Sequence, residues 1–285
     1  MRPGKNRQIP MIKKDARKHL PSRLMRESLV SKEVIRSTQI RKEFRILPEV
    51  NPIKIGGRSI MDRGRSGLEN LAEEIGRLRR KYQLIIGVGG GARERHTYSL
   101  GVDLGLPTGG LAAIAKAMSE QNALMLQVLL AKYGAIRTPQ EHFEELPLYL
   151  ASGAIPVITA TPPYQYWEHP PRRGRIPPHG SDTGMFLFSE TFGTRPLVLL
   201  KDVDGLYTAD PRNNKNARLI PRIGARELLD LNPPGLPLER KVVELILRAR
   251  NATQVRIVNG LVPGNLTKAL AGKNIGTVIY KDVSL

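Results

Sequence analysis

Two lysines stand where an apolar run meets a glycine turn, and either could meet an anion there. The first belongs to Ile53-Lys54-Ile55-Gly56-Gly57. An unpaired ammonium in a buried strand is costly, so Lys54 calls for an anion at the carboxyl end of a sheet; Gly56 and Gly57, lacking Cβ atoms, let backbone N–H groups approach a phosphate. The alternative is a lysine snorkelling from an edge strand. The second is Lys201, which follows Leu197 to Leu200 and leads into Asp202-Val203-Asp204-Gly205-Leu206-Tyr207-Thr208-Ala209-Asp210-Pro211. Gly205 supplies a turn, Tyr207 a ring able to face a purine, and Asp210 a turn carboxylate; taken alone, Asp-Gly and Asp-Pro are ordinary turn signals. Between them lies Gly87-Val88-Gly89-Gly90-Gly91-Ala92, leading into Arg93, Arg95 and His96. Read as G-x-G-x-x-A it matches a dinucleotide fingerprint, but Asp103 comes too early and Glu120 too late for the acidic partner, so a phosphate-cradling turn fits better. No G-x-x-x-x-G-K-[ST] occurs, which excludes a P-loop. Ser181-Asp182-Thr183-Gly184 opens an apolar helical stretch, and Asp182 is only a helix cap unless both lysines lie near it. Such a set could cradle the phosphates of a nucleotide between lysines and backbone N–H groups.

Short apolar runs alternating with helical stretches must position these residues, the signature of a largely parallel sheet covered by helices on both faces. The predicted strands are Ile53 to Gly56, Leu84 to Val88, Ile155 to Thr159, Leu197 to Lys201, Val255 to Val258 and Thr277 to Tyr280. Ser66 to Arg80 reads as a helix, with Ser66 and Glu69 at capping-box spacing and Leu68, Leu71, Ile75 and Leu78 on one face. A longer helix runs from about Leu111 to Lys132, its methionines filling the core, and ends before Gly134 as a C-terminal cap would. From Thr161 to Pro178 there are six prolines with Tyr164, Tyr166, Trp167, His169 and three arginines. This is a long aperiodic loop whose aromatic content argues for a functional role.

Composition closes several doors. The 285 residues are 40% hydrophobic, enough for a sizeable core, and contain no cysteine, which removes disulfide frameworks, thiolate zinc sites, iron–sulfur clusters and cysteine nucleophiles. No apolar run approaches the roughly 20 residues of a bilayer span, and a cytoplasmic location is expected. The net charge is +19, and positions 1–45 hold 14 Lys and Arg against 4 Asp and Glu. This basic N-terminal arm can attract polyanions through salt-screened forces, although such termini are more often solvated or wrapped on a neighbouring subunit; neither nucleic acid nor membrane is an expected partner.

The Lys-x-Gly-Gly and Val-Asp-Gly-x-Tyr-Thr-Ala-Asp-Pro stretches, in this order, resemble the amino acid kinase superfamily, whose members include uridylate, acetylglutamate and aspartate kinases. Phe44 to Pro48, Ser99 to Pro107, Pro162-Pro163-Tyr164, Ile176-Pro177-Pro178 and Val258 to Gly264 are similar to its molybdenum storage branch. The resemblance implies a three-layer α/β/α fold with a mainly parallel sheet over 44–285, comprising an acceptor or cage lobe (44–182) and a nucleotide lobe (183–285), after the arm (1–43). It implies that Lys54, Gly56 and Gly57 bind ATP phosphates with Gly90, Gly91 and Arg95 nearby. Asp182 would orient Lys54 and Lys201 and hold the Mg²⁺-phosphate group, and Asp204, Gly205, Tyr207 and Asp210 would bind the nucleoside end.

Two departures from the uridylate kinases stand out. Where they carry an acidic residue for the acceptor nucleotide, this chain has Pro107-Thr108-Gly109-Gly110, and Lys201 stands one place early, a slip that can turn a strand-end side chain to the opposite face. In the storage branch, the resemblance implies a hollow hexamer that uses ATP and Mg²⁺ to take up molybdate or tungstate as polyoxometalate clusters. A cage for such clusters needs cationic and hydrogen-bonding donors. Gln165, His169 and His179 are the candidate cluster contacts, with Arg172, Arg173 and Arg175 beside them; Gln165, Tyr166 and Trp167 stand where one subunit type carries three histidines, so a partner subunit is expected to complete the cage. A small-molecule phosphotransferase is the alternative, and a nucleic-acid-binding protein on an inactive kinase fold is the third reading.

Overall fold

Each predicted strand forms, and all six lie in one sheet. The computed structural model describes residues 44–162, 176–177, 179–211, 213–233 and 235–282. The strands are β1 (Val50–Ile55), β2 (Gln83–Val88), β3 (Ala135–Arg137), β4 (Ile155–Thr159), β5 (Leu197–Lys201), β6 (Leu206–Tyr207), β7 (Leu219–Ile220), β8 (Arg222–Gly224), β9 (Gln254–Asn259) and β10 (Thr277–Tyr280). The eight-stranded sheet runs in the order β3-β4-β2-β1-β5-β9-β10-β8, and every neighbouring pair is parallel except β9 with β10; β6 and β7 form a separate antiparallel ribbon. β1 starts three residues earlier than its apolar run. Pro52 is tolerated because β5 pairs only with Ile53 to Ile55, so the ladder with β5 asks no N–H of position 52.

Helices cover both faces: α1 (Arg65–Leu78), α2 (Gly91–Asp103), α3 (Thr108–Leu130), α4 (Leu146–Ala151), α5 (Ser181–Phe192), α6 (Ala225–Leu231), α7 (Arg240–Ile246) and α8 (Asn265–Leu270). Strand alternation divides the core in two. Ile53, Ile55, Ile86, Val88, Val157, Val198 and Leu200 pack against Leu71 and Ile75 of α1 and Leu126 and Leu130 of α3. Ile85, Ile158, Leu197, Leu199 and Ile257 pack against Met185, Phe186 and Phe188 of α5 and Val242, Val243 and Ile246 of α7. The result is a three-layer α/β/α architecture, mainly parallel.

Three local expectations are corrected. The Ser66–Glu69 capping box does not form: α1 starts at Arg65 after Gly64, whose φ is 59°, and the Ser66 hydroxyl donates to the Arg63 carbonyl at 3.0 Å. The long helix begins at Thr108 because Pro107, in extended conformation, sets its start; it ends at Leu130 in a 3-10 turn that Gly134 closes with φ 76°. Its methionines do not all fill the core, since Met125 is half exposed beside Leu124, Val128 and Leu129. Among the described residues no helix is long and apolar enough to cross a membrane.

Candidate functional site

Lys54 and Lys201 reach the same place because of their parity. Lys54 lies between Ile53 and Ile55, which face α1 and α3, so its side chain emerges on the α5 face. Lys201 has the parity of Leu197 and Leu199, which face α5, so the expected displacement to the opposite face does not occur. Lys54 pairs across the sheet with Leu199, two residues before Lys201, so the two ammoniums leave adjacent strands almost side by side.

Asp182 receives both. Its carboxylate takes Lys54 Nζ at 2.9 Å on Oδ1 and Lys201 Nζ at 2.6 Å on Oδ2. The side chains are 5% exposed for Lys54, 4% for Asp182 and 13% for Lys201, so the trio sits on the floor of the sheet, out of bulk water. Asp182 is not a cap: α5 is preceded by Gly180, and no side chain of that residue closes it. Burial opposes the carboxylate's charge, yet the two ammoniums outweigh it and hold Asp182 well below the usual carboxylate range. Burial and then the charge of Lys54 depress the Lys201 ammonium, with Asp182 acting in the other direction.

The glycine turns form the adjoining wall. Gly56 and Gly57 follow β1, and Gly90 and Gly91 lead from β2 into α2. The turns touch each other: a Cβ on Gly57 would stand 2.6 Å from the Gly91 nitrogen, and Gly91 has φ 72°. Asp62 accepts the Ala92 N–H at 2.6 Å, and Glu94 accepts the Gly90 N–H at 3.0 Å. Burial raises the Glu94 carboxyl above its ordinary range, against the hydrogen bonds from Gly90 and Tyr98.

The loop after β5 closes the opposite side. The Asp204 carboxylate accepts Asn259 Nδ2 at 2.8 Å and the Tyr207 hydroxyl at 3.4 Å, and Arg63 crosses to Asp202 at 2.9 Å. A cavity of about 1460 Å³ joins these parts: Lys54, Gly56, Gly57, Gly90, Gly91, Arg95, Asp182, Lys201, Asp204, Gly205, Tyr207 and Asp210 all line it. The expected phosphate, lysine and nucleoside groups thus converge. His179 does not line the cavity, although its neighbour Gly180 does; burial, then the charge of Lys241, depresses its imidazole and favours the neutral ring. Gln165 and His169, with Arg172, Arg173 and Arg175, lie outside the described residues, as does the arm at 1–43.

Sequence reasoning missed four residues at this site. Glu239 accepts main-chain N–H groups at the start of α5; Glu94 and Asp62 hold the second glycine turn; Asn259 holds Asp204. Asn259 had a signal, since it is the second residue of the run Val258 to Gly264 singled out in the sequence. Glu239 and Asp62 had none, because their partners lie 57 and 30 residues away and no spacing rule connects them, whereas Glu94 meets Gly90 only four residues back, at the start of its own helix.

Known proteins are similar to this chain in sequence and in fold. The chain is 43% identical over 256 residues to the molybdenum storage protein subunit beta of Azotobacter vinelandii, covering 90% of this chain and 95% of that one. It is 30% identical over 203 residues to a uridylate kinase of Hyperthermus butylicus, covering 70% and 83%. Among solved structures, UMP kinase from Bacillus anthracis superposes with a TM-score of 0.65 at 20% identity, covering 84% of this chain and 98% of that one. Uridylate kinase from Archaeoglobus fulgidus gives 0.64 at 22%, covering 81% and 99%. Residues 53–259, which carry both lysines, both glycine turns and Asp182, match the amino acid kinase family profile, and the chain belongs to that family.

Proposed function

We propose that the chain is a molybdenum-storage-like subunit that binds ATP with Mg²⁺ in this cavity and uses it to take up molybdate or tungstate, holding the metal as polyoxometalate clusters. The observation that carries the reading is the convergence of two buried ammoniums on one carboxylate beneath two touching glycine turns. The 43% identity to a subunit named for molybdenum storage, spanning 95% of it, supports the choice of cargo. So does the start of α3 at Pro107-Thr108-Gly109-Gly110, which offers no carboxylate to an acceptor nucleotide.

In this reading Lys54, from the acceptor or cage lobe (44–182), and Lys201, from the nucleotide lobe (183–285), neutralise the terminal phosphate oxygens. Gly56, Gly57, Gly90 and Gly91 offer backbone N–H groups, with Arg95 at the rim, while Asp204, Gly205, Tyr207 and Asp210 hold the nucleoside. Asp182 keeps the two ammoniums apart from each other and aimed at one spot, so charge neutralisation requires no rearrangement at the moment of transfer. The donor set suits a triphosphate: cations and N–H groups at one end, an aromatic ring and carboxylates at the other. Among the described residues no cluster of three or more His, Asp or Glu surrounds a metal position, so Mg²⁺ would be held chiefly by the phosphates, with Asp182 nearby, and would supply charge neutralisation. Gln165, His169 and His179 would contact the clusters. Assembly with homologous subunits, expected as a homo- or hetero-hexamer, would cover the apolar surface left by Leu124, Met125, Val128 and Leu129.

A second reading, a phosphotransferase acting on a nucleotide or small carboxylate, is favoured by the 30% identity to a uridylate kinase. Elemental analysis of protein from molybdate-supplemented cells separates the two. Storage predicts many metal atoms per subunit, retained through gel filtration only when ATP and Mg²⁺ were present, and lost in Lys54→Ala with the circular dichroism unchanged. Metal-free protein that releases ADP only when an acceptor is supplied would overturn storage in favour of transfer.

A further inference from the structure

The start of α5 is held by a carboxylate from elsewhere in the chain. Glu239, the residue that precedes α7, accepts the N–H groups of Gly180 at 2.8 Å, Asp182 at 2.9 Å and Thr183 at 3.3 Å, and the Thr183 hydroxyl at 2.6 Å. The bonding is reciprocal. The Glu239 N–H donates at 3.3 Å to Asp182 Oδ2, the same oxygen that receives Lys201. Each helix start therefore closes the other, and Asp182 is gripped at both main chain and side chain.

A second cap in the molecule shows what this arrangement adds. Glu74 of α1 accepts the Gly264 N–H at 3.1 Å, the Thr267 N–H at 2.7 Å and the Thr267 hydroxyl at 2.6 Å, closing α8. The chemistry is nearly identical: a carboxylate in trans, two or three N–H donors and a threonine hydroxyl. The position is not. Neither Glu74 nor the residues it caps line the cavity, whereas Glu239 does, together with Gly235, Leu236, Pro237 and Leu238.

We infer that Glu239 is a positioning residue: it ties the cavity-lining segment before α7 to Asp182, and through Asp182 sets the aim of Lys54 and Lys201. A carboxylate suits the task because it only accepts hydrogen bonds and is favoured at a helix N-terminus. A carboxamide of the same shape would turn its NH₂ toward N–H donors and lose part of the grip. The geometric claim rests on these hydrogen bonds alone; its consequence for turnover rests on the nucleotide reading above.

The test compares full-length Glu239→Gln with Glu74→Gln. Without nucleotide, acylation of each lysine by an N-hydroxysuccinimide ester is followed by peptide-resolved mass spectrometry. Lys201 labelling rises about tenfold in Glu239→Gln, the effect of weakening one charge-assisted hydrogen bond, and stays within about twofold in Glu74→Gln, although both variants melt at lower temperature. With ATP and Mg²⁺, Glu239→Gln lowers kcat about 30-fold while KM for ATP changes less than about threefold, because misaligned ammoniums still bind but no longer match the transition state. Glu239→Asp, which keeps the charge but falls short by a methylene, gives intermediate labelling and serves if the glutamine variant does not fold. Equal Lys201 labelling in the Glu239 and Glu74 variants overturns the inference. Wild-type protein that does not bind ATP overturns the nucleotide reading instead, and the labelling comparison still decides the role of Glu239.

Discussion

Replacing Asp182 with asparagine keeps its shape and removes its charge, leaving Lys54 and Lys201 as two buried ammoniums with no carboxylate between them. Surface ion pairs contribute little, but neither lysine side chain here is more than 13% exposed and the carboxylate is 4% exposed, so the buried-pair regime applies. Removing one partner of a buried pair costs about 3–5 kcal/mol, because the remaining charge is stranded. At about 2–4 °C per kcal/mol for a chain of this size, Asp182→Asn should lower Tm by about 10 °C at neutral pH. The pH dependence is sharper evidence than the magnitude. In the wild type, Asp182 is held below its ordinary range, so its contribution is complete above the unfolded carboxylate pKa and fades as pH falls through the folded value. In the variant the cost comes from buried ammonium charge, and burial and the charge of Lys54 already depress Lys201; the cost is therefore largest where Lys201 is protonated and is relieved as pH rises through its folded value. Thermal melts of both proteins from pH 6 to pH 10 should show the deficit shrinking toward alkaline pH, and millimolar pyrophosphate should restore more stability to the variant than to the wild type. A deficit below about 1 kcal/mol, the range of a surface pair, or one that is constant across this range, would refute the arrangement of charges described above.

Other consequences follow from the same parts. Gly57→Ala puts a methyl group 2.6 Å from the Gly91 nitrogen, so the two turns must separate; ATP affinity, read by calorimetry, should fall by about 100-fold, a loss of about 2.7 kcal/mol. His179→Ala should lower metal content by elemental analysis without changing ATP affinity; equal loading of variant and wild type would remove His179 from the cage. Because burial and Lys54 depress the Lys201 ammonium, its charge is lost at lower pH than an ordinary lysine of about 10.4, and the alkaline limb of ATP turnover should lie below that value and vanish in Lys201→Arg.

Much of the framework was legible because it depends on local patterns. Apolar runs marked the six long strands, and glycine turns marked where the chain leaves the sheet. Lys201 was harder: its position relative to a family pattern suggested the wrong face, while simple alternation from Leu197 and Leu199 places it correctly. The strands β3 and β8 are three residues each and too short to show a period, and they form because a neighbour already offers an edge. The Ser66–Glu69 pair had suitable spacing, but Gly64 starts α1 first and leaves the serine inside the helix. Glu239 and Asp62 were invisible for a different reason. Each is a carboxylate among many in the chain, and only the folded backbone shows which N–H groups it meets.

The register of β1 against β5 has a lasting consequence for the anion that we propose this floor receives. Lys54 opposes Leu199 through a hydrogen-bonded ladder at the centre of the sheet, so the spacing between the backbone positions of the two lysines works as a fixed gauge that loop movement cannot reset, even though Asp182 and Glu239 aim the side chains that grow from it. Evolution or engineering toward a bulkier oxyanion would therefore leave this gauge untouched and reshape the rim, where side chains can change without breaking a rung.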